Sequence, residues 1–534
     1  MKNLTTKIFT WSLVLLGLTM TSCLNDLDQS DPQNTNLLSG EALFKDSASY
    51  QQFLAKLYAG LATTGQQGPD GQADVSGIDE GFSQYIRGYW NLQELTTDEA
   101  IIAWNDQTIK DLHSQTWGAS DVFINALFSR LDFQVKNCNE FLRQTTEDKL
   151  TSRGVTSELR TQIEAYRAEA RFLRALSYWH FVDLFGSVGL VTEASSTEYF
   201  LPEQASRQEI FDYVESELLD IENILKEPHT NVYPRVDKGA AWMLLAKLYM
   251  NAGVYFGADR NVDAFNYVNK LVTSNYSLSP KYQNLFLADN DTNGAQNEFI
   301  FAIAYDGQYT KTFGGTTYLT HAAVGGSMNA ADFGINGGWG GIRTTSAFVN
   351  KFVLGSDDQR EQFYTDEQTL EIKNVSDFQQ GYAISKWKNV NVNGVAGSDS
   401  TGDFVDIDFP MFRLADAYLM YAELFVRGAG GTQSDALNYL NLIRARAYGN
   451  SSGNISSSDL NLDFILDERA RELHWEGHRR TDLIRFGKFT GSSYLWPWKG
   501  NVQSGAPTQP FRRLFPIPSP AIAGNPNLKQ NPGY

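Results

Sequence analysis

Apolar residues recur every three or four positions through much of this chain, the period of a helix with one face turned to a core. The spacing predicts helices over "SASYQQFLAKLYAGLAT" (47–63), "VFINALFSRLDFQVKNCNEFLRQT" (122–145) and "LRTQIEAYRAEARFLRALSYWHFVDLF" (159–185). Two further stretches share a finer pattern. Trp242, Leu245, Ala246 and Tyr249 in one, and Tyr418, Tyr421, Ala422 and Phe425 in the other, read large-x-x-large-small-x-x-aromatic, as in the first helix of a tetratricopeptide repeat. A second helix follows each, at 262–272 and 434–447. The small residue lets two helices approach closely, and the aromatics fill the groove beside it. From about 288 to 410 the helical period gives way to Gly, Asn, Thr and Asp, with short strand-like runs such as "EFIFAIAY" (298–305). It returns in "NLDFILDERARELHWEGHRRTDLIRFG" (461–487), read as one charged last helix. The ending "RLFPIPSPAIAGNPNLKQNPGY" (513–534) is Pro- and Asn-rich and is expected to run extended over the surface. The fold class is mainly α: one large domain over 41–534 with a loop-rich insertion at about 288–410, where a binding site can sit on a rigid scaffold.

The first forty residues stand outside this pattern. Lys2 and Lys7 precede an apolar run from Ile8 to Leu18, too short to span a bilayer, and "MTSC" then ends at Cys23. This order resembles a bacterial lipoprotein signal peptide over 1–22, with Cys23 acylated as the new N-terminus. The polar, acidic stretch 23–40 reads as a tether and resembles the surface-export signal of Bacteroidetes lipoproteins. The expected location is the cell-surface face of the outer membrane, with membrane contact through the lipid anchor only. With Cys23 acylated, Cys138 has no partner for an intrachain disulfide, so the core alone must hold the fold.

Composition narrows the function. Hydrophobic content of 42% over 534 residues supports a sizeable core. A net charge of −18 repels phosphate backbones and argues against a nucleic-acid partner. His474 and His478 lie one helical turn apart with Glu476 between, but "HWEGH" is not the order a zinc protease needs. No nucleophile elbow, P-loop or dinucleotide fingerprint occurs, and no pair of carboxylates is singled out for glycoside hydrolysis. The alternating acids and bases of "DERARELHWEGHRRTDLIR" suit a structural ion-pair network better than an active site. "DNDTNG" (289–294) resembles the start of a calcium loop, although Ile300 stands where an EF-hand needs Glu; an Asx-rich turn reads the same residues equally well.

Several stretches together resemble the SusD/RagB family of surface glycan-binding lipoproteins. They are "AEARFLRALSYWHFVDLFGSVGLV" (168–191), "VDKGAAWMLLAKLYMNAGVY" (236–255), "FPMFRLADAYLMYAE" (409–423), "DERARELHWEGHRRTDLIRFGKF" (467–489) and "FPIPSPAIAGNPNLKQNPGY" (515–534). The resemblance implies about four degenerate tetratricopeptide-like helix pairs, a large irregular portion with few short strands that carries the ligand site, and no catalysis. It implies as partner a TonB-dependent outer-membrane transporter of the SusC type. Within the family, "GQQGPDGQADVSGIDEG" (65–81), "ELTTDEAIIAWNDQ" (94–107), "FLADNDTNG" (286–294), "FGGTTYL" (313–319) and "NGGWGG" (336–341) look most like the starch-binding type. That type implies an arc of aromatics for the curve of an α-1,4-glucan, starch or maltooligosaccharide. Trp104 and Trp339 match two members of the arc, Phe313 stands where a Tyr is expected, and Ile102 stands where a further Trp is expected. Arg87 matches an arginine that bonds sugar hydroxyls, and Asn105 or Asp106 matches an asparagine beside it. The two departures keep a β-1,3-glucan such as laminarin as the alternative ligand. No cofactor is required; Asp289 and Asp291 are candidates for a structural calcium ion.

A pyranose ring has an apolar C–H face that sits well on an indole. A stacking Trp must stay open to its ligand, and the glycines around Trp339 are read as leaving its face uncovered.

Overall fold

The structure is a computed structural model and describes residue 44, residues 46–69 and residues 71–534. The signal peptide, Cys23 and the tether lie outside the described residues.

Helices start where the sequence supplies a cap. Asp121 accepts from the backbone N–H groups of Phe123 and Ile124 at the head of Val122–Gln144. Thr156 caps Ser157–Leu184, and Ser206 with Glu209 forms a reciprocal capping box at the head of Arg207–Ile221. Each cap satisfies donors that the first helical turn cannot. The helices then pack on their chain neighbours: Val122–Gln144 on Ser157–Leu184, and that helix on Arg207–Ile221. Lys238–Met250 packs on Asn261–Val272, and Leu414–Val426 packs on Gln433–Tyr448. The two repeat-like pairs read from Trp242 and Tyr418 are therefore present, and Ala246 and Ala422 are fully buried at their close approaches. The third helix named from periodicity spans Ala48–Ala62. Tyr50–Tyr534 form one unit.

Strands are short. Phe299–Ile303 pairs antiparallel with Phe409–Arg413, Phe301 opposite Phe412, and brings the two ends of the loop-rich region together. Ile101–Ile102 pairs with Ile342–Arg343, Ile101 opposite Arg343 and Ile102 opposite Ile342.

The charged stretch differs from expectation. It forms two helices, Leu462–Leu473 and Arg479–Arg485, with a break between them. Trp475 (φ +61°) and Gly477 (φ +83°) take left-handed backbone there. The break buries the Trp475 indole completely. Its loose N–H groups are taken up by two buried carboxyl groups: Glu94 accepts from Gly477 and His478, and Glu99 from Trp475. Tertiary burial outweighs helical continuation here. The ion-pair reading of the same stretch holds. Arg413 donates to Glu298 (2.9 Å), Glu472 (2.6 Å) and Glu476 (2.6 Å), while Arg360 bridges Asp358 and Glu468, all at buried positions. His474 and His478 are buried beside this network. The ending is also more integrated than its composition suggests. Phe515 and Ile517 are fully buried, and Asn531 donates to the carbonyls of Phe185 and Phe515.

Candidate functional site

The two-residue ladder at Ile101–Ile102 is what brings the candidate aromatics together. Pairing with Ile342–Arg343 continues through Ala103, whose N–H donates to the Gly341 carbonyl at 2.8 Å. Beyond that point Trp104 leaves one strand and Trp339 precedes the other. Trp104 Nε1 donates to the Trp339 carbonyl at 3.0 Å, across 235 residues of chain. Their rings lie 6.4 Å apart with planes 44° from each other. Phe313 lies 6.4 Å from Trp339, at 59°. All three rings are half-buried. The result is a bent series of three partly open aromatic surfaces with Trp339 as the shared member.

The supports come from a buried helix, Gly315–Ala323. The last carbonyls of a helix run short of partners in their own element; here the Val324 N–H reaches His321 O at 3.3 Å and the Trp339 loop supplies the other donors. Trp339 donates to His321 O (2.7 Å), Gly341 to Ala322 O (2.8 Å) and Gly340 to Val324 O (2.8 Å). His321 also stacks on the Trp339 indole, with centroids 4.7 Å apart and planes 22° apart. The imidazole Nδ1–H donates to Gly337 O at 2.7 Å, and burial holds its pKa below the ordinary histidine value, so the ring is neutral at pH 7. One indole face of Trp339 is therefore occupied, and only the other can take a ligand. Tyr318, one turn earlier on the same helix, packs 6.1 Å from Trp104.

The glycines do a different job from the one read in the sequence. A Cβ on Gly341 would lie 2.4 Å from Trp104 Cε2, and one on Gly338 would lie 2.1 Å from Val324 O. Gly340 takes φ +57°. These three permit close backbone approach and a turn; Gly337 alone has open space at its Cβ.

Arg87 lies in the fully buried helix Tyr85–Gln93. Its guanidinium carbon is 4.4 Å from the Tyr318 ring centroid and 5.1 Å from that of Phe82, and Nη1 donates to Phe313 O at 3.2 Å. It is only 8% exposed, so it braces the arc from behind more than it projects toward solvent. Burial lowers its pKa, while Tyr318, Asp79, Asp106 and Glu80 act in the opposite direction. Asn105 and Asp106 are both exposed directly after Trp104. Ile102 is fully buried in the ladder and cannot serve as a platform.

Sequence reasoning missed His321, Tyr318 and Gln84. His321 and Tyr318 share a helical face at i, i+3 in "TTYLTHAA", the available signal for the first two. Gln84 Oε1 accepts from Arg87 N (2.6 Å) and Gly315 N (2.9 Å), joining the heads of the two helices behind the arc. Nothing in its neighbourhood marks it.

At the calcium candidate, Asp289 Oδ1 accepts from Asn293 Nδ2 and Oδ2 from the Val392 N–H, while Asp291 Oδ1 accepts from the Thr292 hydroxyl. These are the bonds of an Asx-rich turn. The described residues hold no group of three or more His, Cys, Asp or Glu placed to bind a metal.

Comparison with known proteins places the chain in a family. Residues 358–534 match the SusD family. The starch-binding protein SusD of Bacteroides thetaiotaomicron is 35% identical, over 99% of this chain and 98% of its own. The SusD-like protein P2 of Formosa agariphila is 24% identical, over 98% of this chain and 99% of its own. Among solved structures, a SusD homologue of B. thetaiotaomicron superposes with a TM-score of 0.70 at 21% identity, over 93% of this chain and 98% of that one. Surface glycan-binding protein A of the same organism, in complex with laminarihexaose, gives 0.67 at 21%, over 90% and 98%. The mainly helical fold is thus that of the SusD superfamily, and the chain belongs to the SusD family.

Proposed function

We propose that this chain is a non-catalytic, cell-surface glycan-binding protein that captures starch or maltooligosaccharides on the Trp104–Trp339–Phe313 arc. The observation that carries the reading is the bent pair of half-open indoles, 6.4 Å apart and 44° to each other. Successive ring planes that turn in this way suit a chain of sugars that itself curves. Asn105 and Asp106, exposed beside Trp104, supply polar groups for hydroxyls at the rim. The 35% identity to a starch-binding protein favours an α-glucan.

Each stacked ring contributes about 0.5–1.5 kcal/mol beyond area burial. Three give about 1.5–4.5 kcal/mol before the loss of ligand freedom is subtracted. A millimolar Kd corresponds to about −4.1 kcal/mol, so single-chain affinity is modest. Modest affinity suits a protein that hands its ligand on, and many copies on one cell gain retention along a polymer. The recipient in this reading is a TonB-dependent transporter of the SusC type. Attachment is through acylated Cys23; among the described residues no helix is long and apolar enough to cross a membrane.

A second reading keeps the site and changes the glucan. A structural neighbour holds laminarihexaose, Ile102 is withdrawn into the core, and Phe313 offers no hydroxyl. Affinity electrophoresis in amylopectin and in laminarin, with calorimetric titration of maltoheptaose and laminarihexaose, separates the two. Wild-type protein is expected to be retarded by amylopectin, and Trp104→Ala or Trp339→Ala to abolish the retardation. Unchanged retardation of both variants sinks the site assignment; retardation by laminarin alone moves the ligand to the β-1,3-glucan.

A further inference from the structure

Close to Ile101 of the ladder that carries Trp104 lies an open cavity of about 510 Å³, within the size range of small-ligand sites. Its walls come from the Ile109–Ser114 helix, the 373–375 segment and the turn at 498–501. Trp498 is half-buried, with Nε1 donating to Ile372 O at 2.9 Å and the ring packed against the cluster of Ile101, Ile372 and Val375. Both Trp498 (φ +70°) and Asn501 (φ +59°) hold left-handed backbone at the cavity wall. Such strain in non-glycine residues persists only where the surroundings enforce it. His113 lines the same cavity at 4% exposure, and its Nδ1 is buried without a hydrogen-bond partner.

We infer that this cavity is a second saccharide site, taking a sugar unit of the same glucan beside the Trp498 indole. The inference rests on the glycan-binding reading above. The lining chemistry selects a neutral polyol over an anion. The charges on the wall are balanced in sign: Lys373 pairs with Glu371 at 3.5 Å, Asp111 stands beside Lys110, and Lys110 already donates to the Ser376 hydroxyl at 2.6 Å. Donors and acceptors of both signs beside an aromatic ring match the rim and face of a pyranose. Burial, with Arg343 and Lys110 nearby, pushes the His113 pKa down to about 3, so it meets a ligand as a neutral imidazole. The site is also tied to the arc. Ile101 packs in the Trp498 cluster three residues before Trp104, and the segment that supplies Lys373 and Asn374 continues to Phe378, which lies over Gly340 beside Trp339.

Trp498→Ala and the milder Trp498→Phe, which keeps apolar packing on Ile372 and Val375, are compared with wild type and with the Trp104→Ala/Trp339→Ala double variant. Affinity electrophoresis in amylopectin and titration of maltoheptaose are the measurements, with thermal melts confirming the fold. Either Trp498 variant, melting within a few degrees of wild type, is expected to lose at least threefold in amylopectin retention. Retention equal to wild type in both Trp498 variants, with loss in the double variant, overturns this inference and leaves the arc reading standing. A wild type that binds neither maltoheptaose nor laminarihexaose overturns both.

Discussion

Gly341→Ala tests whether the arc depends on a single close contact. The new methyl would meet Trp104 at 2.4 Å from Cε2, 2.5 Å from Cζ2 and 2.9 Å from Nε1, where ordinary contact begins near 3.4 Å. Something must withdraw by about 1 Å. The Gly341 backbone is held on both sides, donating to Ala322 O and accepting from Ala103 N at 2.8 Å each. Trp104 is half-buried, and its one side-chain hydrogen bond goes to Trp339 O, so the indole yields before the doubly held backbone does. The swing breaks the bond from Nε1 to Trp339 O, worth about 0.5–1.5 kcal/mol of stability. It also removes one ring from the platform, worth about 0.5–1.5 kcal/mol of binding, or roughly 2- to 12-fold in Kd. Gly337→Ala is the control, because nothing lies within 4 Å of its Cβ. Calorimetric titration with maltoheptaose should show the loss for Gly341→Ala and wild-type affinity for Gly337→Ala, with both proteins folded. Equal affinity of Gly341→Ala and wild type, or an equal loss in the control, refutes the reasoning.

Three further outcomes are expected. Arg413→Met removes the one cation shared by Glu298, Glu472 and Glu476, leaving Glu298 to Arg446, Glu472 to Arg446 and Arg360, and Glu476 to Lys386, and should cost about 3–5 kcal/mol, read as a lowered urea midpoint. Burial raises Glu94 from the ordinary 4.5 to about 7, with Glu99 beside it raised as well. A carboxyl raised by folding stabilises the fold while protonated, so this contribution is complete below about 4.5 and is lost as pH climbs through about 7; Glu94→Gln should flatten the urea midpoint across that window. His321→Ala removes the ring stacked on Trp339 and should weaken maltoheptaose binding several-fold by titration while the circular dichroism spectrum stays that of wild type.

The parts legible in the sequence are those decided within a few turns of chain. Apolar spacing placed the long helices, and the alanines at 246 and 422 marked the close helix approaches. Trp104 and Trp339 were singled out by likeness of motif, and glycines around an indole were informative, although the reason differed: Gly338 and Gly341 make room for a carbonyl and for another indole, not for a ligand. What escaped was set by distant partners. The helix break at Trp475 depends on Glu94 and Glu99, which lie more than 370 residues earlier in the chain. The bracing role of Arg87 depends on Phe313 O, 226 residues away. Gln84 looks like any surface glutamine until Gly315 is placed against it. Composition misled at the Pro-rich ending, where Phe515 and Ile517 complete the interior.

The ladder that joins the segment of Trp104 to that of Trp339 pairs only two residues on each side, and the paired residues are about 240 positions apart in sequence. Contacts of such separation cannot form until the intervening chain has collapsed. Retention on a glucan column should therefore report whether a preparation is correctly folded throughout, and an expressed piece ending before the second indole should flow through such a column however much helix it contains.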